Sequence, residues 1–233
     1  VLDGRTIVVT GATGALGDAA VAAAARAGAR VVAVGRDDTT LAALRARYPD
    51  GVQQTAEVDL LDAPEVLDLA TGVGAEVDAV WHLVGGWRGG TPLPDQPLED
   101  WELLHDSLAR TTLHVARAFA EPLSVRPAGR FAIVSSPFAT SPTSRNAAYA
   151  SAKASAEAIV LALADHLRPT TATANIVVVP SILTAAMRDA EPDKDFGGAV
   201  PAEDVASTLV YLTSDAAAKM NGQRIKLHAR GRR

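Results

Sequence analysis

The stretch Arg5-Thr6-Ile7-Val8-Val9-Thr10-Gly11-Ala12-Thr13-Gly14-Ala15-Leu16-Gly17 decides the fold. Residues 5–10 are a β-branched run that stops on glycine, the pattern of a buried strand entering a tight turn. Residues 15–27 are rich in alanine and read as a helix, with Gly28 where a helix-terminating glycine stands. Gly11, Gly14 and Gly17 punctuate the turn, where a missing side chain lets backbone N–H groups approach a pyrophosphate at the helix N-terminus. Thr13 and Leu16 fall in the same turn and belong to the same candidate site. Glycines also serve ordinary turns, so this reading depends on what surrounds it.

Working outward, strands and helices alternate. Strands are expected at 30–34, 52–58, 77–84, 130–135, 174–179 and 224–228. Helices are expected at 41–48, 63–70, 98–121, 147–167 and 202–214. Between 85 and 97 the breakers Gly85, Gly86, Gly89, Gly90, Pro92, Pro94 and Pro97 make a long irregular loop, the kind of segment that often carries function. Near-continuous apolar strands in such an order argue for an α/β protein, a doubly wound parallel sheet with helices on both faces. Ligands of that architecture bind outside the carboxyl ends of the strands.

Length and composition bound the rest. A chain of 233 residues with 48% hydrophobic residues suits one domain spanning 1–233. A net charge of -5 and a pI of 5.5 give no electrostatic footprint for nucleic acid or an anionic membrane. The basic end Arg230-Gly231-Arg232-Arg233 reads as a solvated tail. The absence of cysteine rules out disulfides, thiol nucleophiles and cysteine metal sites, and fits a reducing, cytoplasmic setting. No targeting segment is read at the start, no stretch free of charge spans a bilayer, and the histidines at 82, 105, 114, 166 and 228 lack metal-ligand spacing. A metal is therefore not expected.

Ser136 stands at the end of the strand Phe131-Ala132-Ile133-Val134, and Tyr149 and Lys153 follow it. Tyr149 and Lys153 are one helical turn apart and share a face. With the glycine turn upstream, this constellation resembles the short-chain dehydrogenase/reductase family. The resemblance covers nearly the whole chain and implies a Rossmann-like fold, a nicotinamide cofactor and hydride transfer to or from a carbonyl or alcohol. It implies Tyr149 as general acid, Lys153 as the cation that lowers the tyrosine's pKa and holds the nicotinamide ribose, and Ser136 as the group that orients the substrate oxygen. It places Asp59 and Leu60 against the adenine, Val84 and Gly85 beside the cofactor, and Pro180 and Thr184 at the nicotinamide carboxamide. It also implies a homodimer or homotetramer built on the two long helices.

The second strand ends Val34-Gly35-Arg36-Asp37, with Gly35 at the place of the usual ribose-binding acid. Arg36 favours NADP(H); NAD(H) stays open through Asp37. Several positions depart from the family pattern. Ala15 replaces a middle glycine, Pro180-Ser181 replaces Pro-Gly, His82 replaces a sheet-bracing asparagine, and Leu108 (or Ser107) stands where many members carry a relay asparagine.

Gly85-Gly86-Trp87 with Gly89-Gly90, together with Pro180, Met187, Pro192 and Asp195-Phe196, is similar to the dihydropteridine reductase branch. That likeness places Trp87 beside a flat small-molecule substrate and makes 185–199, with Met187 and Phe196, a short substrate lid. The leading expectation is reduction of a cyclic C=O or C=N group. Quinonoid dihydropteridine reduction proper and a non-catalytic cofactor-binding role are the alternatives.

Overall fold

The computed structural model describes residues 1–228; the basic tail at 230–233 lies outside the described residues. Nine strands and eight α-helices alternate among them. They are β1 (Thr6–Thr10), α1 (Gly17–Arg26), β2 (Arg30–Gly35), α2 (Asp38–Arg47), β3 (Val52–Glu57), α3 (Ala63–Val73), β4 (Val77–His82), α4 (Leu98–Leu104), α5 (Thr111–Ser124), β5 (Arg130–Ser135), α6 (Ala147–His166), β6 (Thr173–Val178), β7 (Ile182–Leu183), α7 (Ala185–Ala190), β8 (Val200–Pro201), α8 (Ala202–Thr213) and β9 (Arg224–Lys226). Seven strands form one parallel sheet in the order β3-β2-β1-β4-β5-β6-β9. This is the Rossmann-like doubly wound architecture.

Its two faces are buried separately because successive side chains of a strand point opposite ways. Val8, Val80, Phe131, Ile133 and Ile176 pack with Phe119, Val160 and Leu163 of α5 and α6. Ile7, Val9, Trp81, Ala132 and Val177 pack with Val21 of α1 and Leu209 of α8. The Trp81 indole is fully buried and donates to Thr213 Oγ1 at 2.9 Å, which satisfies its one polar atom. α6 is long and apolar enough to cross a membrane, but half of that stretch is packed inside the fold.

The strand order reverses between β1 and β4, so the carboxyl ends of these strands diverge and open a crevice. The expected helix 98–121 is interrupted there. Residues His105–Arg110 form a π-turn between α4 and α5. Side-chain hydroxyls satisfy the loosened carbonyls: Thr111 Oγ1 donates to Ser107 O at 2.7 Å and Thr112 Oγ1 to Leu108 O at 2.5 Å. The widened turn carries Leu108 into a small cluster with Ala148, Ala152 and Tyr149 of α6. Ser107 faces the crevice instead. π-turns of this kind recur at functional sites.

Candidate active site

The crevice holds a cavity of about 1080 Å³. At one end stand Arg36, Asp59 and Leu60; at the other stand Tyr149, Lys153 and Pro180. Gly11, Thr13, Gly14 and Leu16 line it between them, with Val84 directly beside Gly11, and Gly85 and Trp87 of the following loop line it as well. The sequence-derived candidates are thus largely brought together.

The glycine turn suits a pyrophosphate. Gly11 has φ +72°, and a Cβ there would lie 3.1 Å from Val84 N, so this turn admits no ordinary side chain. Gly17 does not line the cavity. A Cβ on it would sit 2.3 Å from the carbonyl oxygens of Gly11 and Ala12, so its glycine lets α1 pack tightly under the turn. The backbone N–H groups of Thr13, Ala15 and Leu16 have no acceptor among the described residues. Such free donors at a helix N-terminus fit an anionic diphosphate.

At the adenosine end, a Cβ on Gly35 would lie 3.3 Å from Leu41 and 3.4 Å from Thr13 Oγ1, so a larger side chain there would have to push these neighbours aside by a few tenths of an ångström. Asp37 does not take up the ribose-binding role. Its Oδ1 accepts from Thr40 N at 2.7 Å and caps α2. Arg36 is exposed, lines the cavity and has no ion pair among the described residues. Asp59 is not a helix cap, since Asp62 caps α3; its Oδ1 accepts from Leu61 N and shapes the turn that lines the cavity. Nearby, Asp38 pushes the Glu57 carboxyl up, a sign of crowded negative charge.

At the other end α6 presents Tyr149 and Lys153 one turn apart. Lys153 is buried and its Nζ donates to Val134 O at 2.8 Å. Burial lowers its ammonium to about 8, opposed by the charge of Glu157 one turn on. The expectation that Lys153 lowers the Tyr149 pKa is corrected here. Burial pushes the Tyr149 phenol up and the neighbouring Ser136 hydroxyl only partly opposes it. Lys153 Nζ lies 5.8 Å from the Tyr149 ring centroid, with its charge directed to the Val134 carbonyl. Desolvation therefore outweighs the one opposing contact, the Ser136 hydroxyl.

Ser136 is 2% exposed; its Oγ accepts from Phe138 N at 3.3 Å, capping a short 3₁₀ turn, and its hydroxyl stands beside Tyr149. Ser135, the residue before it, lines the cavity; the sequence reading passed over it. The signal was the doubled serine at a strand's carboxyl end. Phe138 and Thr111 also line the site and carry no recognisable sequence pattern; of the two residues weighed at the relay-asparagine position, Ser107 lines the cavity and Leu108 does not.

Besides Gly17 and Ser136, three further expected residues are not among the cavity's lining. Thr184 Oγ1 accepts from Met187 N and caps α7, and Ser181 and Ile182 line the cavity in its place. Met187 is 43% exposed on α7, outside the lining. Phe196 instead lies under Lys194, whose Nζ is 5.4 Å from its ring centroid. Trp87 does line the cavity and is 57% exposed, so it is no anchor packed on the core. Gly90 N donates to Arg145 O at 2.8 Å and Arg145 Nη1 donates to Gly90 O at 2.6 Å, which straps this loop to the segment entering α6.

His82 is the bracing residue expected of it. Thr111 Oγ1 gives its proton to Ser107 O, so it accepts from His82 Nε2–H at 3.2 Å; Nδ1 then accepts from Thr10 Oγ1 at 2.7 Å. Burial, with the nearby Lys153 charge, lowers its pKa to about 3 and keeps the ring neutral.

A cavity at the switch point of a doubly wound sheet, lined by free helix-terminal N–H groups and ending at a buried Tyr–Lys pair, defines a dinucleotide-using oxidoreductase. The short chain dehydrogenase pattern matches residues 5–195, and the chain belongs to the short-chain dehydrogenase/reductase family. It is 32% identical over 176 residues to a short chain dehydrogenase of Pseudocercospora fijiensis, across 72% of this chain and 57% of that protein's length. It is 28% identical to the D-threitol dehydrogenase of Mycolicibacterium smegmatis, across 95% of this chain and 90% of that one. A solved structure described as a short chain dehydrogenase from Pseudomonas syringae matches with TM-score 0.86 at 27% identity, covering 97% of this chain and 95% of that one. The chain is an NAD(P)-dependent oxidoreductase of this family.

Proposed function

We propose that this enzyme uses NADPH to reduce a flat, cyclic C=O or C=N group. The observation that carries the reading is the Tyr149–Lys153 pair at one end of the cavity, where the buried phenol can give a proton to the group that is reduced. The bound nicotinamide supplies the hydride. The chain's own groups supply the rest. Tyr149 gives its proton to the substrate atom that gains charge, Ser136 orients that atom and its neighbour's hydroxyl, and Lys153 contributes positive charge beneath. Arg36 supports NADPH over NADH because it is a free cation at the adenosine end, where no acid stands ready for a ribose hydroxyl. The crowded carboxylates Asp38 and Glu57 work against a 2′-phosphate and make the preference one to measure.

Trp87, exposed on the cavity wall, supports a planar substrate and keeps a second reading in view, reduction of a quinonoid dihydropterin. The exposed Leu98, Trp101, Leu113 and Leu161 on α4, α5 and α6 support pairing with a second copy, as a homodimer or homotetramer.

The deciding assay follows NADPH and NADH oxidation with quinonoid dihydropterin, quinones and cyclic ketones. Tyr149→Phe is expected to lower kcat by about 10²–10⁴-fold on any true substrate. Ser136→Ala separates the two readings: a small effect with the pterin supports pterin reduction, and a loss as deep as that of Tyr149→Phe supports carbonyl reduction. Arg36→Ala is expected to weaken NADPH binding about tenfold or more and leave NADH nearly unchanged. Equal losses for the two nucleotides would refute the NADPH preference.

A further inference from the structure

Helix α6 carries Tyr149 in its first turn, and its own capping residue does not hold that turn. The Asn146 side chain makes no capping bond to the helix; its Oδ1 accepts from Thr143 N at 2.7 Å instead. The first N–H groups of a helix have no intrahelical acceptor, so one must come from elsewhere. For Ala148 N it comes from Gln96, whose side-chain Oε1 accepts at 3.3 Å across 52 positions of sequence. Ala148 is buried and immediately precedes Tyr149.

Gln96 is held where it can do this. Pro92, Pro94 and Pro97 stiffen its segment, and Gln96 N donates to Leu93 O at 3.4 Å. Pro97 restricts the residue before it to the extended region, which Gln96 adopts with φ -69° and ψ 127°. The same loop is strapped further back, through Gly90 and Arg145, to the segment entering α6. It therefore grips the start of the catalytic helix at two points. The Gln96 Nε2 is buried with no partner among the described residues, which costs stability. The carbonyl is thus the half of this amide that the fold uses. Lys153, one turn further on, has its own anchor in Val134 O at 2.8 Å, so the hold of Gln96 bears on Tyr149 more than on Lys153.

We propose that Gln96 is a positioning residue whose side-chain carbonyl caps the catalytic helix and fixes Tyr149 for proton transfer. The assignment rests on Tyr149 as the proton donor and is independent of which ring is reduced. A reacting group displaced by about 1 Å can lose about 10²-fold in rate, so this one hydrogen bond bears on kcat more than on stability.

Two variants test it. Gln96→Met removes the acceptor and keeps the length of the side chain; Gln96→Glu keeps an acceptor and replaces the orphaned nitrogen with oxygen. Both are compared with the unsubstituted protein and Tyr149→Phe. The readouts are kcat on quinonoid dihydropterin, quinones and cyclic ketones, Kd for NADPH, Tm, and ultraviolet titration of the phenols. For Gln96→Met we expect kcat lowered about tenfold or more, an unchanged Kd and a Tm lowered by no more than about 2–4 °C. Its Tyr149 phenol should titrate nearer the ordinary value as water reaches it. Gln96→Glu should restore kcat and Tm, since a carboxylate accepts well at a helix N-terminus. Unchanged kcat in Gln96→Met, or equal losses in the two variants, overturns the proposal. So does a lowered Tm with kcat intact, which marks a cap with no bearing on catalysis, or a Kd weakened as much as kcat. If no compound of the panel turns over, the phenol titration decides, and identical Tyr149 curves for Gln96→Met and the unsubstituted protein overturn the proposal. Full activity of Tyr149→Phe would sink the reading of Tyr149 as the acid, and this assignment with it; a deep loss there with none in Gln96→Met sinks the assignment alone.

Discussion

His82 shows how one buried residue can serve three elements. It ties β1 through Thr10 and the start of α5 through Thr111, and it does so as a neutral ring. Its pKa is about 3 in the fold against an ordinary value of 6.5. Below pH 6.5 the unfolded chain takes up a proton that the folded chain refuses. Stability contributed by the neutral ring is therefore full above pH 6.5 and lost as the pH falls toward 3, at up to about 1.4 kcal/mol per unit. Urea melts at pH 7.5 and 5 should give a shallower loss for His82→Asn than for the unsubstituted protein. Identical pH slopes would mean that His82 is not held neutral. Lys153 follows the same logic at higher pH. With its pKa at about 8, well below an ordinary lysine, it is poised to change charge near neutrality when a ligand contacts it.

At the scale of elements, the loop 85–90 and the π-turn shape the two walls of the site. Gly89 has no room for a side chain, since a Cβ would stand 2.9 Å from Arg145 O and 3.1 Å from the Trp87 ring. Gly89→Ala should push the loop off its strap and move Trp87. The expected outcome is a KM for substrate raised roughly tenfold or more, with the Kd for nucleotide unchanged. Loss of nucleotide binding of similar size would show that the loop serves the cofactor more than the substrate. The π-turn has its own logic. One extra residue in the helix turns Leu108 into packing against Tyr149 and leaves Ser107 on the cavity. Helical periodicity assumes a constant turn, so it cannot foresee such a shift.

Across the whole molecule, the catalytic helix is tied to the last strand of the sheet. Arg224 Nε and Nη2 of β9 donate to the two oxygens of Glu157 at 2.7 and 3.1 Å. Glu157 is 7% exposed at its side chain, and it stands one turn beyond Lys153 on α6. Removing one partner leaves the other charge buried. Arg224→Ala should cost about 3 kcal/mol, lowering Tm by roughly 5–10 °C. A change within about a degree would show that water replaces the guanidinium at that edge. Arg126 and Asp78 make a comparable tie between the segment after α5 and β4, and Asp78 also accepts from Thr6 N.

Much of this was already determined by the sequence. The apolar strands, the glycine turn and the spacing of Tyr149 and Lys153 rest on local rules of strand alternation, turn sterics and helical periodicity. These rules placed the parallel sheet, the switch-point crevice and most of its lining, from Gly11 and Arg36 to Pro180. Tertiary structure decided what depends on contacts between distant segments. The rise of the Tyr149 pKa comes from burial, which spacing does not measure. The diversion of Thr184 into a cap, the turning of Leu108 away from the cavity and the emergence of Ser135 as its lining all depend on where a hydroxyl or side chain finds its partner. A one-residue step along a strand or an extra residue in a helix turn reverses which face a side chain takes, and only the packed sheet selects between them.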